Sequence, residues 1–255
     1  MSKILELYGV STRSDQNIEW ATVLSNESCL YLGRVCEKVR KSNPETAIGA
    51  CSVEYGKQRK KLMICPYRLL ERNQVFLDCI HLLTLHEPGN ELHLVSEVGI
   101  PGGNIDYFLV SAVEGKVQDF VGIELQTLDT TGTVWPERQR FLARQGIAVS
   151  AEDIDSPKKF GVNWKMTAKT TLMQIHHEVE TFEGINKHLV LILQDHLLEY
   201  MRRQFQFEHV KEARLGDPMH IHTYKLLPAS AGTFRISFDS HYSTDSNGIA
   251  TSLGL

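Results

Sequence analysis

The sequence predicts an α/β protein, a mixed β-sheet flanked by helices, with a cysteine-bearing region in front of it. Three observations carry that expectation. "IDYFLVSAV" and "VQDFVGIELQT" are strand-like runs joined by the turn "EGK", so they pair as an antiparallel hairpin. "HLVLILQ", residues 188–194, is a buried-strand run set between two segments of helical character. Four of the five cysteines, Cys29, Cys36, Cys51 and Cys65, lie within the first 65 residues.

In chain order, the N-terminal region is irregular. A helical stretch is expected around "CLYLGRVCEKVRK", and a basic strand or turn leads to "LMICPYRLLE". A helix is expected from about Asn73 to His86, after which "EPGN" turns the chain into the strand "ELHLVSEVGI". "PGGN" breaks the pattern again before the hairpin. Beyond it runs a polar, Arg-rich stretch without strong period. "NWKMTAKTTLMQIHHEVETF" then reads as a helix with Met166, Thr170, Met173, His177 and Val179 toward one side. "DHLLEYMRRQF" is a second helix with Asp195 as N-cap, and "DPMHIHTYKLL" and "GTFRISFDSHY" are the last strands. The end from Ser243 is expected to fray. Two domains follow, residues 1–72 around the cysteines and residues 73–255 around the sheet.

Composition narrows the classes. With 42% hydrophobic and 23% charged residues the chain is neither disordered nor membrane-spanning in character. The longest apolar run, Leu189 to Leu193, is far short of a span, and "MSKILELYGVSTRS" lacks a signal-peptide core, so a cytoplasmic protein is expected. A net charge of −4 excludes indiscriminate coating of nucleic acid, yet leaves room for local basic patches. "KQRKK" at 57–61 is one. The stretch from Arg138 to Lys169 is the other, and it is the better candidate for phosphate contacts because it follows the hairpin directly.

Two constellations carry chemistry. Disulfides are disfavoured in a cytoplasmic chain, so the four clustered cysteines suit thiolates closing on one structural metal, zinc or a tetrathiolate iron; buried free thiols are the other reading. Cys79, in an apolar run, reads as core packing. The second constellation is the hairpin. Glu124 and Gln126 point the same way from one strand, and pairing brings Asp106 toward them. Two carboxylates in a sheet are costly unless a cation joins them. Asp106 and Glu124 suit Mg²⁺, with Glu97 adding or orienting a ligand; solvated residues of an edge hairpin are the other reading. "QIHHEVE" offers His176, His177 and Glu178 and "HIH" offers His220 and His222 as metal ligands, but neither has a zinc-hydrolase spacing, so exposed or packed imidazoles are the expected reading.

Asp106 followed by Glu124-x-Gln126 in a hairpin resembles the PD-(D/E)XK nuclease core, with Gln at the lysine position. In that variant form "GIELQTLDTTG", "NIDYFL", "LMICPYRLLE" and "LELYGVSTRS" are similar to segments of the NotI-type restriction endonuclease family. The resemblance implies a type II restriction endonuclease that hydrolyses double-stranded DNA at a specific, palindromic sequence. Asp106 and Glu124 would bind catalytic Mg²⁺, with Gln126 and Glu97 completing the site. Cys29, Cys36, Cys51 and Cys65 would hold structural iron, with zinc as substitute. Arg138, Arg140, Arg144, Lys165 and Lys169 are the expected DNA-binding residues. A homodimer matches a palindromic site, and a cognate DNA methyltransferase acting on the same site is the implied counterpart. The rival function is an inactive DNA-binding or scaffold protein that retains the fold.

Overall fold

Strand Ile4–Leu7 has Ile4, Leu5 and Leu7 wholly buried, so both of its faces are covered. In the computed structural model, which describes residues 2–40 and 43–255, it pairs antiparallel with Val10–Ser11 and Ala50–Tyr55, and Lys60–Met63 completes a four-stranded sheet. This sheet belongs to a unit made of Met1–Arg72, Thr127–Asn163 and Leu226–Ser237. The second unit comprises Asn73–Gln126, Trp164–Lys225 and Phe238–Leu255. The first unit thus takes in two segments from beyond residue 72.

The first unit is held by a buried ion pair. Arg68 and Glu6 are almost wholly inaccessible, and Arg68 Nε donates to Glu6 Oε2 at 2.8 Å. Ser52 Oγ donates to the same oxygen at 2.6 Å, and Tyr31 OH donates to Oε1 at 3.0 Å. The rest of the guanidinium serves Glu71 Oε2 at 2.9 Å and the carbonyl of Phe234 at 3.2 Å. A buried pair is tolerated only when its remaining hydrogen-bonding capacity is filled in this way.

The helix expected around "CLYLGRVCEKVRK" is absent. Strands Ser28–Cys29 and Arg34–Val35 form one small ribbon, and Val39–Arg40 pairs with Asn43–Ala47 in another. Glu27 in the left-handed region (φ 45°) ends helix Trp20–Asn26, and Gly33 (φ 66°) closes the turn between the first pair. Lys41, the last residue of that stretch, lies outside the described residues.

Most of the large mixed sheet belongs to the second unit. Its strand order is Lys211–Glu212, Phe234–Thr244, Met219–Pro228, His188–Gln194, Lys116–Gln126, Gly103–Val113, Glu91–Ile100. The expected hairpin, Gly103–Val113 with Lys116–Gln126, is antiparallel, while His188–Gln194 runs parallel to Lys116–Gln126 and to Met219–Pro228. Its buried run "HLVLILQ" suits the doubly covered centre of such a sheet.

Helix Trp164–Gly184 has the expected extent but a different inner face. Thr167, Ala168, Thr171, Leu172, Ile175, Glu178, Val179 and Phe182 are buried, whereas Met166, Thr170, Met173 and His177 are exposed. The long helix expected from Asn73 to His86 is two short pieces, Gln74–Leu77 and the 3-10 turn Ile80–Leu82. Asp195 is the first residue of helix Asp195–Gln204 rather than its cap. The C-terminus does not fray: Asp245 caps helix Ser246–Leu253, its Oδ1 accepting from Gly248 N at 2.8 Å. Cys79 is wholly buried, as expected.

Arg68→Ala leaves Glu6 as an uncompensated buried carboxylate, so it is expected to destabilise the protein by roughly 3–5 kcal/mol. Urea unfolding followed by tryptophan fluorescence reads this. A loss below about 1 kcal/mol would put the pair in the range of exposed ion pairs.

Candidate active site

The turn at Glu114 and Gly115 joins the hairpin with both residues left-handed (φ 49° and 72°), the two-residue geometry that matches strand twist. After one register shift between Ser111 and Ala112, Leu109 pairs with Val121 and Tyr107 with Ile123. Asp106 therefore falls opposite Glu124. On its other side Ile105 pairs with Val98 and Tyr107 with Ser96, which sets Asp106 beside Glu97. Residues opposite one another on neighbouring strands share a face, so Glu97, Asp106 and Glu124 form one row across three strands. Gln126 follows on the same face as Glu124.

The hydrogen bonds interlock the two central acids. Glu124 Oε1 accepts from the Asp106 backbone N–H at 3.1 Å, and Asp106 Oδ2 accepts from that of Leu125 at 2.9 Å. Glu124 is buried, Asp106 and Gln126 are half-buried, and Glu97 is exposed. Glu97 has φ 55°, a costly conformation for a side chain of this kind within a strand.

Helix Trp164–Gly184 adds two residues to the hairpin acids. Gln174 Nε2 donates to Glu124 Oε2 and to Glu178 Oε1, both at 3.0 Å. Glu178 is wholly buried, and its Oε2 has no hydrogen-bond partner. The absence of a side chain at Gly103 of "PGGN" leaves room for it: a Cβ there would lie 2.5 Å from Glu178 Oε1, so any other residue would displace the carboxyl.

Burial pushes the Glu124 carboxyl up to about 9, with the charges of Asp106 and Glu178 adding to it. Burial also raises Glu178 to about 7, and raises Asp106, where Glu97 contributes. Carboxyls near enough to raise one another, one with an orphan oxygen, fit a hard divalent cation with oxygen ligands, although among the described residues the three do not gather their oxygens within 4.8 Å of one another. Asp106 and Glu124, whose charges and hydrogen bonds interlock, are the residues that would hold it.

The remaining sequence-predicted residues divide. Cys29, Cys36, Cys51 and Cys65 are all buried in the first unit. Burial raises the thiols of Cys36, Cys51 and Cys65, and Cys29 is near enough to each to raise it further. Buried, mutually close thiols fit a tetrathiolate donor set, although among the described residues their sulfurs do not gather within 4.8 Å of one another. Arg138 is buried rather than offered to phosphate. Its Nε donates to the Ile48 carbonyl, its terminal nitrogens to Gln139 Oε1 and Tyr8 OH, and it stacks on Trp135. Arg140 is likewise engaged by the carbonyls of Ile154 and Ser156 and by Glu137. Arg144, Lys165 and Lys169 are exposed.

Residues 20–220 match the family model described as restriction endonuclease NotI. No curated protein matches the chain. Among the described residues no helix is long and apolar enough to cross a membrane.

The raised carboxyls give a pH dependence with a definite sign. A carboxyl whose folded pKa lies above its unfolded value binds more protons in the folded state, so metal-free protein loses stability as pH rises from about 4.5 toward 9. Glu124→Gln should flatten that slope, and by pH 8.5 change the relative stability in the variant's favour by at least about 1.4 kcal/mol. Thermal unfolding at a series of pH values, in chelator, measures it; parallel curves for the two proteins would contradict the burial argument.

Proposed function

The chain belongs to the NotI restriction endonuclease family, whose members are site-specific DNA nucleases, and from that premise we propose a type II enzyme that hydrolyses double-stranded DNA with Mg²⁺ at a PD-(D/E)XK centre. The observation that carries this reading is the register that sets Asp106 opposite Glu124, with Gln126 following on the same face. Asp106 and Glu124 hold the ion through carboxylate oxygens, and Glu97 stands beside Asp106 at the exposed end of the row. When bound, Mg²⁺ supplies a Lewis acid that stabilises charge developing on the phosphate.

The chain's own groups do the rest. Gln126 stands where other nucleases of this core carry lysine; its amide orients a water by hydrogen bonding without contributing charge. Gln174 holds the Glu124 carboxyl in place and ties it to Glu178. Glu178, near 7, is the carboxyl able to exchange a proton at neutral pH, through its unpartnered Oε2. In the first unit, Cys29, Cys36, Cys51 and Cys65 hold iron or zinc as a structural staple. Arg144, Lys165 and Lys169 contact DNA phosphates, and a palindromic target is cut by a homodimer. A cognate methyltransferase modifying the same sequence protects the resident DNA.

Digestion of a large unmodified viral DNA with Mg²⁺ tests the reading. Wild type should give discrete fragments, and Glu124→Ala should lower the rate by at least roughly a thousandfold. Intact DNA with both proteins, modified or not, would leave a binding or scaffold protein. Lys169→Ala should weaken DNA binding evenly across sequences and reduce the slope of log affinity against log salt by about one. An unchanged slope would take Lys169 out of the phosphate contacts.

A further inference from the structure

We propose that His81, His222 and His241 form a binding site for a zinc-class transition metal ion, separate from both the carboxylate centre and the cysteines. The three residues come from the 3-10 turn Ile80–Leu82 and from strands Met219–Pro228 and Phe234–Thr244. One ring nitrogen from each lies within 4.8 Å of the others, and among the described residues no other set of three His, Cys, Asp or Glu ligand atoms gathers so tightly.

Simple packing of histidines does not account for the arrangement. His222 is wholly buried, yet its Nε2 has no hydrogen-bond partner, a cost that folded proteins avoid unless the atom has another use. Its Nδ1 is already committed, 3.8 Å from the Cys79 sulfur. One nitrogen of His241, Nε2, lies 2.8 Å from His220 Nδ1. A partner on the ring nitrogen away from the metal is how ligating imidazoles are fixed in tautomer and orientation. The rings of His222 and His241 meet edge to face with centroids 4.2 Å apart, and burial keeps both neutral, the form that ligates.

The donor set selects the ion. Three neutral imidazoles without a carboxylate suit Zn²⁺, Co²⁺, Ni²⁺ or Cu²⁺ and offer little to Mg²⁺. Three protein ligands leave a fourth position, which the exposure of His81 opens to solvent. An ion there fastens the Ile80–Leu82 turn to the two C-terminal strands.

Co²⁺ titration of metal-stripped protein tests the site, because nitrogen and sulfur ligands give different spectra. Wild type should take up Co²⁺ with a visible ligand-field band that lacks the near-ultraviolet sulfur-to-cobalt charge transfer of a thiolate site. His81→Ala, at an exposed position and checked as folded by circular dichroism, should lose that band and about one equivalent of bound metal while any thiolate band stays. His241→Ala should do the same. Identical spectra and stoichiometry in wild type and His81→Ala, or no nitrogen-type band in wild type, would overturn the proposal.

Discussion

Asp106 and Glu124 face each other across an antiparallel strand pair, and burial holds both carboxyls above their ordinary range. Much of the second unit answers to that constraint. The strand positions that would normally carry apolar side chains hold acids, so their oxygens must find donors, and they find them in the backbone of the opposite strand and in Gln174. Gly103 leaves space for Glu178, whose second oxygen stays without a donor. A cluster with more negative charge than protons or donors to satisfy it is unfavourable alone and well suited to a divalent cation. The family to which the chain belongs supplies the reaction, site-specific cleavage of DNA.

The hairpin was legible because its signals are local. Alternation in "IDYFLVSAV" and "VQDFVGIELQT", with a Glu-Gly turn between, sets which residues can be opposite, and a slip by one would reverse every face. Position 178 was not legible as part of the site. Helix Trp164–Gly184 buries Thr167 and Thr171, and Thr171 Oγ1 donates to the Thr167 carbonyl at 2.7 Å, so polar residues occupy inward positions and obscure the period. The exposed Met166 and Met173 then mimic an apolar face. The C-terminal helix carried an ordinary signal, Asp245 three residues before Gly248, which composition rich in Ser and Gly masked.

Long-range partners account for the other differences. Arg138 belongs to a basic stretch in sequence, but Tyr8, Ile48 and Trp135 surround its guanidinium, and no local pattern announces that. His81 is likewise remote along the chain from His222 and His241, and the three meet only through the turn and two strands that carry them. The cysteines sit between these cases. Their clustering was visible and all four are buried, while the proposed closure of the thiolates on one ion would belong to a metal-loaded state.

Calorimetric titration of Mg²⁺ at pH 8, in two buffers of different ionisation enthalpy, reaches the central claim most directly. If Asp106 and Glu124 form the cation site, binding displaces the proton that burial keeps on Glu124, so the measured enthalpy differs between the buffers, and Glu124→Gln abolishes the binding. Mg²⁺ binding with the same enthalpy in both buffers, or retained in Glu124→Gln, would contradict a site built on that strand register.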